Sequence, residues 1–223
     1  MPDGQYSFYL HSDDRTDIAA MATISTISQP LRGEFIRTAA TAGAVVYQVD
    51  ARLPALIPVF FAGQLSAVRL CAVMALVSGT WSSLTGLPDE PENGGAALLV
   101  SPETEYQRRR YTLTLQNGRS GERVESVLTE ASSRLRGDLL RNLIITGLAL
   151  HTTAPELPRL LASMPVPPTS VSELQALVQQ MAGTADVNRA AAAVPDTPAA
   201  SAAPVSGADT REIKKNMRRA FGD

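Results

Sequence analysis

The residues best suited to chemistry lie between positions 106 and 123. Arg108, Arg109 and Arg110 stand consecutively, flanked by Tyr106 and Tyr111, and Arg119 and Arg123 follow across Asn117-Gly118. Guanidinium forks grip phosphate oxygens, and both arginine and tyrosine stack on bases, so this grouping suits nucleic acid. Arg108, Arg109, Arg110, Tyr111, Arg119 and Arg123 are the candidate contacts. A second account stays open: charges often guard an exposed strand edge against aggregation.

A second basic cluster closes the chain. In DTREIKKNMRRAFGD, Ile213, Met217 and Phe221 repeat at i, i+4 and i+8, while Lys214, Lys215, Arg218 and Arg219 take the other faces. Asp209-x-x-Glu212 has the form of a capping box, and Gly222 can stop the helix. These apolar and basic residues are the candidate partner-binding surface, in the manner of a helix laid in a groove. The alternative is a solvated terminal helix, since helices this short are marginal in water.

Elsewhere the chemistry is sparse. His11 and His151 lack Cys, Asp or Glu neighbours at ligand spacing, which argues against a metal site. Cys71, the only cysteine, lies in an apolar run and reads as a structural thiol. The acid pairs Asp13/Asp14 and Glu103/Glu105 suit helix starts or solvated faces. No glycines form GxGxxG or GxxxxGK[ST], so no phosphate loop is present. No cofactor, metal or small-molecule substrate is implied, and an enzyme is not expected.

The elements that position these residues are mainly helical. Leu53–Ser78, with Arg69 its only charge, reads as a helix apolar nearly all round from Gln64, expected to sit at the centre of a bundle. Pro54, Pro58 and Arg69 argue against a membrane span. A helix is expected from Asp13, capped by Ser12 or Asp13, with Ile18, Met21, Ala22, Ile24 and Ile27 inward, and another after Pro30. The small residues Ala39, Ala40, Ala42, Gly43 and Ala44 invite close approach by a partner helix. Tyr111–Leu115 alternates as a strand, and Asn117-Gly118 predicts a hairpin with a return strand up to about 124. One long helix is expected from Glu122 to Leu150, with Arg123, Glu130, Arg134, Asp138 and Arg141 outward. Ser170-x-x-Glu173 marks the start of a further helix, ending at Gly183. The first twelve residues form an arm whose Tyr6, Phe8, Tyr9 and Leu10 can pack or pair as a strand.

Three parts result: a helical body with its arm (1–183), an Ala/Pro/Ser-rich linker (184–208) expected to be flexible, and a basic amphipathic helix (209–223). Formal net charge is −2 and pI about 5.8, so the whole chain is not a basic nucleic-acid binder. Mean hydropathy is −0.01 and aromatics are 5%, which gives an aliphatic core. Only Lys214 and Lys215 are lysines, and every other basic residue is arginine. The start has neither a basic n-region nor an apolar h-region, so no secretory leader is expected and the cytoplasm is the default location.

The Pro, Ala and Ser content concentrated in 165–208, with Arg-bearing segments, resembles the proline-alanine-serine-rich proteins of polymycovirus-like fungal RNA viruses. ARLPALIP before an apolar helix also resembles helical-rod plant virus coat proteins. The resemblance implies a protein that coats viral RNA within a virion. An arm at one end and a tethered helix at the other suit subunits that link to their neighbours. The leading expectation is therefore a self-assembling coat or nucleocapsid-like homo-oligomer. The alternative is a bacterial adaptor of a secretion or conjugation apparatus, docking through its C-terminal helix.

Overall fold

A computed structural model describes residues 4–80 and 107–192, the stretch 184–192 by its backbone alone. The chain divides into two units, Met1–Asp186 and Val187–Asp223, and all packing described below belongs to the first. Residues 209–223, with Ile213, Lys214, Lys215, Met217, Arg218, Arg219 and Phe221, lie outside the described residues, as does Tyr106.

The architecture is mainly helical with one small antiparallel sheet, as expected. In chain order it runs β1 (Gln5–His11), α1 (Arg15–Ser25), α2 (Gln29–Val49), α3 (Leu53–Phe60), α4 (Ala67–Ser78), β2 (Arg108–Thr114), α5 (Arg119–Glu130), α6 (Arg136–Thr153), α7 (Leu157–Ser163) and α8 (Val171–Ala192). Among the described residues no helix is long and apolar enough to cross a membrane.

The axis of the body is the pair α2 and α6, not the stretch 53–78. In α2 every residue from Ala39 to Val46 is buried, and in α6 every residue from Leu143 to Leu150. Two glycines allow this. A methyl group on Gly43 would fall on the backbone of Leu143, and one on Gly147 would fall on the backbone of Ala39. The paired positions run in opposite directions, so the helices cross antiparallel, backbone against backbone. The small residues of α2 do invite a partner helix, and that helix is α6. By contrast, residues 53–78 split into α3 and α4, and α4 covers one side only. Its Leu70 and Met74 are fully buried, while Val68 and Leu76 remain 50% and 54% exposed. Arg69 points to solvent. All-round apolarity misled because it measures side-chain size, whereas the closest packing here depends on small side chains.

The expected long helix 122–150 is broken. α5 stops at Glu130, and α6 begins at Arg136 after a turn closed by Leu135 N–H donating to the Ser132 carbonyl. Ser132 and Ser133 lie at the break, where such side chains compete for backbone groups. α1 begins one or two residues later than expected, with Asp14 as its cap accepting from Asp17 N–H at 2.9 Å. The cap at Ser170 is present, at 3.3 Å from Glu173 N–H, and Glu173 reaches back to Thr169 N–H at 2.8 Å. Gly183 does not stop α8, which continues to Ala192 through alanines of high helix propensity.

Candidate nucleic-acid interface

β2 does not turn back at Asn117-Gly118. Gly118 adopts φ +138°, a conformation that favours glycine, and opens α5. The partner of β2 is the N-terminal arm: β1 pairs antiparallel with it, from Gln5 opposite Thr114 to His11 opposite Arg108. The arm's own alternation anticipates this. Tyr6, Phe8 and Leu10 are the larger apolar members of QYSFYLH, and Gln5, Ser7 and His11 alternate with them.

The ribbon is two-faced because side chains alternate along a strand. On the inner face Phe8, Leu10 and Leu113 are buried, and Tyr111 stacks on Phe8 with ring centroids 5.2 Å apart. Tyr111 is thus half-buried against the body, and burial pushes its hydroxyl above its usual range against the pull of Arg109 and Arg32. On the outer face Gln5, Ser7, Tyr9 and His11 lie opposite Thr114, Thr112, Arg110 and Arg108. Those outer residues of β2 are all exposed.

The outer side chains hold one another in place. The Arg108 guanidinium lies 3.5 Å from the centre of the Tyr9 ring. Arg110 donates to Ser7 Oγ from Nε at 3.2 Å and from Nη2 at 3.0 Å. Arg109 falls on the other face, its guanidinium 5.3 Å from the Tyr111 ring centre.

A buried ion pair fixes the end of the ribbon to the body. Asp17, at 0% exposure, accepts from Arg141 Nε at 2.6 Å and from His11 N–H at 2.9 Å. Arg141 also reaches Asp14 Oδ1 at 3.2 Å. Burial pushes the Asp17 carboxyl above its usual range, with Arg141 and the His11 N–H opposing. One charge network thereby joins β1, the first turn of α1, and α6. Arg141 was expected on a solvated face; its inward role shows only when α1 and α6 are brought together.

The five arginines are divided between two elements, Arg108, Arg109 and Arg110 on β2 and Arg119 and Arg123 on α5. Arg110 and Thr114 are four residues apart along β2, about 13 Å, and Arg119 and Arg123 come later still, on α5. Arg123 is half-buried, with one guanidinium nitrogen that has no hydrogen-bond partner. Burial and the neighbouring Arg119 lower its pKa. The ribbon therefore gathers Arg108 and Arg110 with Tyr9, Ser7, Gln5, His11, Thr112 and Thr114, most of which sequence reasoning missed because the strand's partner lay about a hundred residues away.

The model of one protein family, described as plasmid stability protein, matches residues 4–74 and 109–178. No curated protein and no solved structure matches the chain. The matched segments hold β1, β2 from Arg109 onward, and the α2–α6 axis. The match overturns the expected kinship with RNA-coating and rod-forming viral proteins, and with it the coat, capsid and virion roles. That resemblance rested on the composition of 165–208 and on a loose layout, neither of which fixes a packing arrangement. Matching well over half its length, the chain belongs to the plasmid stability protein family.

Proposed function

We propose that the protein serves plasmid maintenance by binding DNA through the outer face of the β1–β2 ribbon. The observation that carries this reading is the make-up of that face. Eight side chains from two paired strands are polar, basic or tyrosine, while on the opposite face Phe8, Leu10 and Leu113 are buried. A major groove about 12 Å wide admits a two-stranded ribbon. Paired strands about 4.8 Å apart would fit within it, with side chains reaching base edges. Arginine pairs with guanine, glutamine with adenine, and threonine meets the thymine methyl. The Ser7–Arg110 and Tyr9–Arg108 contacts limit the freedom of both guanidinium groups before DNA arrives, which lowers the cost of ordering them. In this reading the protein binds rather than catalyses. The net charge of −2 means that attraction is local to the ribbon rather than spread over the chain.

The test is fluorescence anisotropy of the full chain with duplexes selected from a random pool, titrated over a range of salt. Arg108→Ala with Arg110→Ala should weaken selected duplexes at least tenfold. If both arginines meet phosphate, the log–log salt slope should fall by about 2. Loss of affinity with an unchanged slope would place them on bases instead. Wild-type affinity and slope in the double variant would remove the ribbon from the reading.

A further inference from the structure

A cavity of about 320 Å³ opens between α2, α5 and α7. Three arginines from three different helices converge on it: Arg37, Arg119 and Arg159. One acid, Glu34, also lines it, and Arg37 already holds that carboxylate at 2.7 and 3.1 Å. The side chains of Arg119 and Arg159 make no ion pair or hydrogen bond among the described residues. The cavity is therefore lined by more positive charge than its own acid can balance.

The chemistry of the wall narrows the ligand. No aromatic side chain lines the cavity, so it offers nothing on which a base would stack. What it offers is hydrogen-bond donors: guanidinium groups, and the first turn of α5, which no side chain caps. The Gln116 carbonyl lies against that turn, so close that any side chain at position 121 would fall on it, and glycine stands there. Ser120 donates to the Ala162 carbonyl at 3.2 Å and ties α5 to α7 across one side. One turn further along α5, Arg123 carries a buried, unpartnered guanidinium nitrogen. From Arg119 to Arg123, α5 thus carries two cations against one acid, Glu122. Arginine forks beside a helix start that no side chain caps match an oxyanion with several oxygens.

We propose that this cavity binds a phosphate group, held by Arg119 and Arg159 at the start of α5. Two sources supply the same chemistry: a free phosphate or pyrophosphate, and a phosphodiester of the DNA backbone. The site is separate from the ribbon's arginines, and the proposal does not rest on the ribbon's binding DNA.

The experiment uses the full chain and the variants Arg119→Gln, Arg159→Gln and their combination. Arg119 and Arg159 are exposed, and melting in phosphate-free buffer checks that each variant folds. Inorganic phosphate and pyrophosphate are titrated by calorimetry against sodium chloride of equal ionic strength, and a mixed-sequence duplex is titrated separately. If the source is free anion, pyrophosphate binds the wild type and at least tenfold more weakly the double variant, with each single variant between. If the source is DNA, the anions do not bind, while the double variant loses duplex affinity and about 2 in salt slope. Arg108→Ala with Arg110→Ala should retain the wild-type response to pyrophosphate, which separates this site from the ribbon. Equal behaviour of wild type and double variant toward both anions and duplex overturns the proposal.

Discussion

Asp17 shows how much one side chain can hold. It is fully buried, and its two oxygens accept from Arg141 and from the His11 backbone. Breaking a buried pair by removing one partner leaves an uncompensated charge, at a cost of about 3–5 kcal/mol. Arg141→Met should therefore destabilise the protein by about that amount at pH 7, measured by urea unfolding. The pH dependence has a definite sign. Burial already raises the Asp17 carboxyl above 3.8, and removing Arg141 raises it further. A raised carboxyl binds its proton more readily in the folded state, so its stabilising share is present below the unfolded value and is lost as pH rises through the folded one. The Arg141→Met penalty should then shrink as pH falls toward 4; a penalty constant with pH would mean that Asp17 stays ionised without its partner. Thr146 gives a test in the other direction. Its hydroxyl is buried in α6 without a hydrogen-bond partner. Thr146→Val keeps the shape and removes the unsatisfied group, so it should stabilise by about 1 kcal/mol, a rise of about 2–4 °C in Tm.

At the scale of elements, the crossing of α2 and α6 governs the body. Gly43 and Gly147 bring the two backbones together, each lying on the other helix at the matching position. Alanine favours helices over glycine by about 1 kcal/mol, so on an isolated helix Gly43→Ala would help. Here the added methyl meets backbone, which cannot rotate away. Gly43→Ala and Gly147→Ala should each destabilise by about 1–3 kcal/mol or more, as overpacking does. Gly183→Ala, where no atom lies near the added methyl, should be neutral or stabilising. Thermal melting of the three variants side by side checks the contrast, and equal shifts would show that the α2–α6 crossing is looser than described.

For the whole molecule, the chain's start is tied to its middle. β1 pairs with β2 across about a hundred residues, and the family match covers both flanks while passing over 75–108. The core described here is formed by residues on either side of 81–106. Replacing 82–105 with a Gly/Ser segment of equal length leaves the closure entropy nearly unchanged. Such a variant should melt within about 3 °C of the wild type, which corresponds to about 1 kcal/mol. A much larger loss would show that this segment packs on the core.

The sequence by itself determined what depends on near neighbours. The helical class, the Ser170 cap, the small-residue face of α2 and the alternation of Tyr111, Leu113 and Leu115 all follow from local periodicity and capping chemistry. Tertiary structure decided whatever joins distant residues. The alternation of β2 showed that it was a strand, but not that its partner was Gln5–His11, because many segments could satisfy the same backbone groups. Arg141 read as solvated until α1 brought Asp17 to it. The arginines of 108–123 read as one hairpin, and the structure divides them between β2 and α5, Gly118 opening a helix where a return strand was expected. Apolar content pointed to 53–78 as the centre, yet the axis fell to α2 and α6. Two glycines there let backbones touch, and that closeness exists only once both helices are in place.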